Sequence, residues 1–434
     1  MLDIKYIREH AELIKENCKV RGAKVDIDRL LTLDRDRRAH IARIEELRAE
    51  RNKKSLGKPP DEEIAKMRAV GNEIAQLGRE LENIDREFKP LLRSVPNLTH
   101  PEVPIGGERD YKVLETAGKI PQFKFRPKDH EELMTALDVI DFERGVKTTG
   151  AKFYFVKNEL VRLNQALLQY GMDILTKHGF ILMETPDLVK NEILDGVGFS
   201  PRGPESNTYP IEESDLSLIA TAEITLGGYH SNEILDLSKG PLKYAGISHC
   251  FRKEAGTYGK ASKGLYRVHQ FTKLEMFVYC KPEESGALHR EMLEIEKEIV
   301  DGLKLPYRVI DTASEDLGAP AYRKYDVEGW MVMGASEGER TTEASGPNVK
   351  GGYGEITSTS NCADYQARRL NIKYREESGK TEFAHTLNGT AIVTSRFPIA
   401  IFENYQREDG SIEIPKVLRP YMAGLKEVRK RTST

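Results

Sequence analysis

Residues 248–279, SHCFRKEAGTYGKASKGLYRVHQFTKLEMFVY, put charged side chains where a half-buried strand normally carries apolar ones. The stretch reads as two strands, 242–252 and 267–280, joined by a glycine- and lysine-rich loop. Strict alternation places residues of equal parity on one sheet face. Arg252 and Glu254 then share a face of the first strand, and Arg267, Phe271 and Glu275 share a face of the second. Val268, Leu274, Met276 and Val278 lie on the opposite face and supply core. At a rise of ~3.4 Å per residue, Arg267, Phe271 and Glu275 fall roughly 13 Å apart in series. A cation, an aromatic plane and an anion in line suit an elongated ligand with a phosphate, a flat ring and an ammonium group.

The chain around this stretch has 434 residues, which predicts two domains rather than one. Lys and Arg number 66 against 69 Asp and Glu, a formal charge of −3, so any basic surface for nucleic acid must be local. The four cysteines, Cys18, Cys250, Cys280 and Cys362, lie far apart without CxxC or Cys/His ligand spacing. That argues against a disulfide framework and a structural zinc site, and for a reducing, cytoplasmic location. The N-terminus, MLDIKYIREHAELIKEN, mixes acids and bases and lacks the apolar run of a secretory signal. No stretch approaches the length of a membrane span, so no membrane partner is expected.

Residues 1 to 20 read as one short amphipathic helix with Ile4, Ile7, Leu13 and Ile14. From Asp26, Leu30, Leu33, Ile44 and Leu47 keep heptad positions, and Ile64, Met67, Ile74, Leu77, Leu81, Ile84, Phe88 and Leu91 continue in steps of mostly three and four. Between the two segments, Gly57, Pro59 and Pro60 break the helix and Asp61 can cap the next. An antiparallel two-helix coiled-coil arm over about 26–95 follows, and ~28 helical residues project about 40 Å. Dimerisation is the ordinary use of such a hairpin. Arg37 and His40 weaken its seam, however, and Arg43, Arg48, Arg51, Lys53, Lys54 and Lys58 crowd its tip, a set suited to a phosphate backbone. The linker VPNLTHPEVPIGGERD divides an N-terminal domain, 1–108, from a second domain, 109–434.

The second domain mixes strand and helix patterns without regular alternation, an α+β fold. Helices are predicted over 157–178 and 283–303, and a final one opens at Phe397 and Pro398. Strands are predicted around 180–189, 217–220, 307–311, 353–360 and 384–394, and the basic end LKEVRKRTST reads as frayed. No GxxxxGK[ST] phosphate loop is present: GTYGKAS is too short, and GVGFSPRG fails the dinucleotide spacing. KASKG at 260–264 matches a lysine-loop fragment, without the companion histidine motif.

Phe251-Arg252-Lys253-Glu254 followed by Arg267-Val268-His269-Gln270-Phe271 resembles the second motif of class II aminoacyl-tRNA synthetases, in the form found in the seryl-tRNA synthetase family. RLNQALLQYGMDILTKHGFILMETPDLV, ending near Pro186, resembles the first motif; Thr221-Ala222-Glu223 is similar to the serine-site TAE; HTLNGTAIVTSRFPIAIFENYQ resembles the third. The start at Met1, the hairpin, VPNLTHPEVPIG and VLRPYM extend the resemblance over nearly the whole chain.

The resemblance implies an antiparallel sheet flanked by helices. It also implies activation of L-serine by ATP and transfer to the 3′ end of tRNA(Ser), with tRNA(Sec) left open as a second acceptor. Arg252 would bind the serine carboxylate and the ATP α-phosphate, its planar fork suiting both. Glu254 would accept from the adenine amino group, and Phe271 would stack on adenine with Arg396 on its other side. Arg267 would join Arg396 near the terminal phosphate. Glu275 would take the serine ammonium and hydroxyl, helped by Thr221, Glu223 and Thr390. The ATP segment would include Lys253 and Glu355-Ile356-Thr357-Ser358, with Glu355 and Ser358 near Mg2+. Three residues apart, those two have opposite strand parity, so a bulge or strand end is needed. ATP is a substrate, Mg2+ the expected cofactor, zinc is not expected, and a homodimer is implied by the first motif.

Singly, each assignment has an ordinary alternative, since a strand arginine is more often an ion-pair residue and a lone phenylalanine is core. Together, in order and spacing, they favour the ligand reading. Two departures stand out. Ala391-Ile392-Val393-Thr394-Ser395-Arg396 replaces the GLAVGR of many bacterial relatives, removing two glycines, and GVGFSPRGPESNTYPIEE differs from the commonest form. Two rival readings are a serine-activating homologue that loads a carrier protein and a non-catalytic paralogue that binds RNA or protein.

Overall fold

The computed structural model describes residues 1–54, 61–199, 207–254, 264–332 and 351–431, of which Met1–Thr99 and His100–Thr434 form two units. In the first unit the amphipathic segment is two helices rather than one, α1 (Ile4–Glu9) and α2 (Ala11–Val20). His10 between them leaves the helical region at φ −129°, which re-aims Ile7 and Ile14 into one core. The heptad segments form α3 (Ile27–Lys54) and α4 (Asp61–Ser94). Leu30, Leu33, Ile44 and Leu47 are buried as the spacing requires.

The weak positions of that seam are filled by pairs between the helices. Arg37 Nε donates to Asp85 at 2.7 Å, and His40 Nε2 lies 3.1 Å from Glu80. Arg43, exposed like Arg48 and Arg51, pairs with Glu46 of its own helix at 2.8 Å and with Glu73 of the facing helix at 2.9 Å. The turn with Gly57, Lys58, Pro59 and Pro60, and the side chains of Lys53, Lys54 and Asp61, lie outside the described residues.

The second unit is built on an eight-stranded sheet. Its strands in chain order are β1 (Lys112–Ala117), β2 (Ile181–Glu184), β3 (Leu242–Phe251), β4 (Gln270–Cys280), β5 (Tyr307–Asp311), β6 (Arg323–Met331), β7 (Gly352–Asn361) and β8 (His385–Val393). They lie side by side in the order β1-β5-β6-β7-β8-β4-β3-β2. Every pairing is antiparallel except that of the edge strand β2 with β3. The helices α5 (Asn158–Lys177), α6 (Ala222–Gly228), α7 (Ser285–Gly302), α8 (Tyr365–Leu370) and α9 (Arg396–Asn404) accompany it.

Strand β4 is not half-buried, as the alternation reading requires, but covered on both faces. Leu274, Met276 and Val278 enter the main core with residues of α5, α7 and α9. On the other face Phe277 and Tyr279 pack with Ile224 and Leu226 of α6 and Ala367 and Leu370 of α8. The same face carries Lys273 and Glu275 one step further along. A strand that is apolar at one end and charged at the other on a single face is how a sheet makes a floor for a polar ligand.

Strands β1 and β6 have no counterpart in the sequence reading. The basic end is not frayed through Arg431: Glu427–Val428 pairs with Ile412–Glu413, and Arg431 reaches Glu159 at 2.7 Å.

Candidate functional site

Two register shifts shape the polar end of the sheet. In the β6/β7 ladder Val327 pairs with Thr357 and Glu328 with Glu355, leaving Ile356 as an extra residue. In the β4/β8 ladder Leu274 pairs with Ile392 and Glu275 with Thr390, leaving Ala391 extra. The first bulge brings Glu355 and Ser358 to one face despite their opposite parity. The second sets Thr390 against Glu275.

The sequence reading placed Arg252 and Glu254 on a strand face, and Arg267 in series with Phe271. The structure corrects both. Strand β3 ends at Phe251 and β4 begins at Gln270, so Arg252, Glu254 and Arg267 lie beyond the strand ends. Pairing persists for one more step, with Arg252 N donating to His269 O at 3.0 Å and His269 Nδ1 lying 2.8 Å from Arg252 O. Glu254 then turns out of the alternation at φ +49°. The loop residues 255–263, with GTYGKAS and most of KASKG, lie outside the described residues, as do 200–206.

What results is a cleft lined by Arg252, Glu254, Arg267, Phe271, Glu355 and Arg396, among others. Arg252 donates from Nε to Ala220 O at 3.3 Å, while its guanidinium lies 5.2 Å from the centre of the Phe271 ring. Arg267 Nη1 reaches Glu254 at 3.4 Å. Arg396 Nη1 is 2.7 Å from Glu355 Oε1, and its guanidinium lies 4.9 Å from the centre of the Tyr266 ring. Burial raises the Glu355 carboxyl, but Arg396, with Lys324 and Arg252, outweighs it and holds the group below the usual carboxylate range.

Beyond this lining lies a second polar cluster. Thr221 caps α6, its hydroxyl accepting from Glu223 N at 3.2 Å. Glu223 is buried, and its Oε1 accepts from Gln366 Nε2 at 2.8 Å and Asn388 Nδ2 at 3.0 Å. Burial, and then the Glu275 charge, push its pKa up to about 7. Glu275 is tied to the cleft through Lys273 and Thr390, both of which line it.

Some candidates stand apart from these clusters. Lys253 is exposed and lies over Tyr209, 5.8 Å from its ring centre. Thr357 is buried with its hydroxyl donating to Thr390 O, whereas Ile356, part of the core, also lines the cleft beside Glu355. Ser358 faces Asp326 across the ladder and its side chain interacts with that carboxyl, whose Oδ1 is buried without a hydrogen-bond partner among the described residues. Arg43, Arg48 and Arg51 belong to the first unit.

Sequence reasoning missed Tyr266, Lys273, Asp326, Gln366 and Asn388. Lys273 shares parity with Phe271 and Glu275, so the same alternation contained it. Asn388 lies inside HTLNGTAIV. Gln366 is on a helix that the reading did not predict.

An antiparallel sheet carrying a strand–loop–strand arginine, a ring beneath it and a terminal helix arginine is the arrangement that the resemblance to class II aminoacyl-tRNA synthetases implies. Residues 208–405 match the family model described as tRNA synthetase class II core domain (G, H, P, S and T), and residues 1–99 match the seryl-tRNA synthetase N-terminal domain. The chain is 52% identical to a serine–tRNA ligase of Treponema denticola, over 97% of this chain and 98% of that one. The crystal structure of seryl-tRNA synthetase from Pyrococcus horikoshii complexed with ATP superposes with a TM-score of 0.88 at 39% identity, covering 100% of both chains. That of cytoplasmic serine–tRNA ligase from Naegleria fowleri in complex with AMP gives 0.83 at 31%, covering 100% of this chain and 99% of that one. The chain belongs to the seryl-tRNA synthetase family.

Proposed function

We propose that the chain joins L-serine to tRNA(Ser) in two steps at this cleft. The serine carboxylate attacks the ATP α-phosphorus and pyrophosphate leaves. The terminal ribose hydroxyl of the tRNA then attacks the seryl carbonyl, and AMP leaves. Neither step requires a protein nucleophile, so alignment and charge stabilisation carry the rate. The observation that carries this reading is the position of Arg252, which touches Ala220 beside the Thr221–Glu223 segment and also lies over Phe271. One guanidinium thereby spans an amino-acid subsite and a nucleotide-ring subsite.

In this reading Glu254 and Phe271 hold adenine, Arg267 and Arg396 the outer phosphates, and Thr221, Glu223, Glu275 and Thr390 the serine. Mg2+ fits Glu355 and Ser358: the carboxyl stays ionised, Asp326 across from Ser358 has one oxygen without a partner among the described residues, and Mg2+ takes few protein ligands alongside substrate phosphates. Bound there, the ion neutralises phosphate charge. The exposed apolar residues Ile181 and Leu182 on edge strand β2, with Leu188 nearby, support a homodimer through this edge. The helical hairpin would bind the tRNA body at its long variable arm. No described helix is long and apolar enough to cross a membrane, and a cytoplasmic location follows from the proposed tRNA substrate.

The test is amino-acid-dependent pyrophosphate exchange across the twenty amino acids, followed by charging of a serine tRNA with and without its variable arm. Serine-specific exchange with arm-dependent charging is expected. Exchange without charging would favour a carrier-protein ligase, and no exchange a non-catalytic paralogue.

A further inference from the structure

Lys273 has a side chain only 7% exposed on the polar face of β4. Its Nζ is 2.6 Å from Glu275 Oε2 and donates to Thr390 Oγ1 at 3.4 Å. Thr390 Oγ1 in turn donates to the same Glu275 oxygen at 3.2 Å. Ammonium, hydroxyl and carboxylate close a triangle, which exists because the bulge at Ala391 sets Thr390 opposite Glu275. Glu223 stands near enough for its charge state to respond to both Lys273 and Glu275. A buried lysine is costly to desolvate, and a purely structural position would be served at least as well by an apolar side chain. Its place against the Glu275 carboxylate, within electrostatic reach of Glu223, calls for a role in charge balance.

We propose that Lys273 is a positioning residue of the amino-acid subsite, orienting Glu275 and Thr390 and supplying the positive charge that lets Glu223 and Glu275 share one substrate ammonium. The inference rests on the reading of Glu223, Glu275 and Thr390 as serine ligands. With Lys273 present, Glu275 Oε2 is committed to the triangle and Thr390 keeps one hydroxyl orientation. Without it, the Glu275 charge acts on Glu223 uncompensated and favours the protonated Glu223, so a binding partner for the serine ammonium is lost. The charged and polar groups that face Glu223 are Lys273 and Glu275 from β4, Gln366 from α8, Asn388 from β8, Arg252 beyond β3 and Thr221 at its own helix cap.

The experiment is serine-dependent pyrophosphate exchange by K273M, K273Q, K273R and E275Q, each with KM for serine and for ATP between pH 6 and 9. In K273M the serine KM should rise at least tenfold with the ATP KM within twofold. The pH below which serine KM climbs should move upward, and K273R should recover part of the loss. If K273M fails to fold, K273Q makes the same comparison. A raised serine KM in E275Q beside an unchanged serine KM and pH profile in K273M or K273Q overturns this inference alone. An unchanged serine KM in E275Q overturns the subsite reading and this inference with it.

Discussion

Arg396 Nη1 lies 2.7 Å from Oε1 of Glu355 and 3.1 Å from the Glu355 carbonyl oxygen, so one guanidinium is clamped to both the side chain and the main chain of a bulged strand. Tyr266 lies under the same group and donates its hydroxyl to that carbonyl at 3.4 Å. The arginine is held before any ligand arrives, the condition under which a cation contributes most to developing phosphate charge. Lysine has no planar group to lie over Tyr266, and no further nitrogen for a phosphate once its ammonium is paired with Glu355. R396K should therefore lower the rate of serine-dependent pyrophosphate exchange by about 10²- to 10³-fold, the usual loss for one preorganised donor. Exchange within threefold of the unaltered chain would refute the placement of Arg396 at the phosphates.

Arg252 offers the matching test from the other end of the cleft. R252A removes the group that joins Ala220 and Phe271, and exchange should be abolished with the thermal unfolding midpoint little changed. Near-normal exchange in that variant would remove the basis for locating the site here.

The Glu223 carboxyl predicts a pH dependence whose sign can be worked out. Its pKa rises from an ordinary 4.5 to about 7, so the folded chain holds a proton that the unfolded chain releases. Stability from this group falls as pH climbs between those values and is level above them, a change of about 3 kcal/mol. Binding a serine ammonium favours the ionised form, so serine KM should fall as pH rises from 6 to 8. In E223Q the serine KM should be high and flat with pH, and the acid-side gain in stability should vanish. A serine KM in the unaltered chain that is independent of pH over this range would contradict the role given to Glu223.

How much of this was legible can be argued from three strands. The core set of β4, Leu274, Met276 and Val278, followed from alternation, as did the shared parity of Phe271 and Glu275. The cover over Phe277 and Tyr279 did not, because α6 and α8 arrive from distant parts of the chain. Strand β6 was missed although Tyr325 and Val327 alternate with Lys324, Asp326 and Glu328. Two apolar residues before a glycine are too short a run to stand out, and the three charges find their use only in the assembled sheet. For β7 the parity conflict between Glu355 and Ser358 demanded a bulge, and the ladder has one at Ile356. The positions of Arg252 and Glu254 were not legible, because the strand end and the φ of +49° at Glu254 depend on pairing with His269 and not on local composition.

Helix α5 supplies a test of packing that does not touch the cleft. A Cβ added at Gly171 would lie 2.7 Å from Ile392 Cγ1 and 3.0 Å from Leu274 Cδ2, so the helix rests against β4 and β8 with no room for a methyl group. Alanine gains about 1 kcal/mol of helix propensity, which offsets part of an overpacking cost of about 1–3 kcal/mol. G171A should be mildly destabilised and G171V more so, measured as a falling denaturant midpoint. An unchanged midpoint in G171V would mean that the α5 contact with the sheet is looser than described.

The arm yields a prediction about which of its cations meet tRNA. All three arginines are exposed, but Arg43 is engaged by Glu46 and Glu73, at 2.8 and 2.9 Å, whereas Arg48 and Arg51 form no ion pair among the described residues. An arginine already bound to two carboxylates must break those pairs to reach a phosphate, so its net contribution to RNA binding is small. The double variant R48A/R51A should weaken tRNA binding at all salt concentrations and lower the slope of log K against log salt by about one per lost contact. R43A should leave that slope unchanged. Deleting residues 30–93 should spare pyrophosphate exchange while crippling tRNA charging. If the deletion charges tRNA normally, the arm has no part in acceptor recognition; if R43A lowers the slope as far as R48A/R51A, the ion pairs with Glu46 and Glu73 do not hold when tRNA binds.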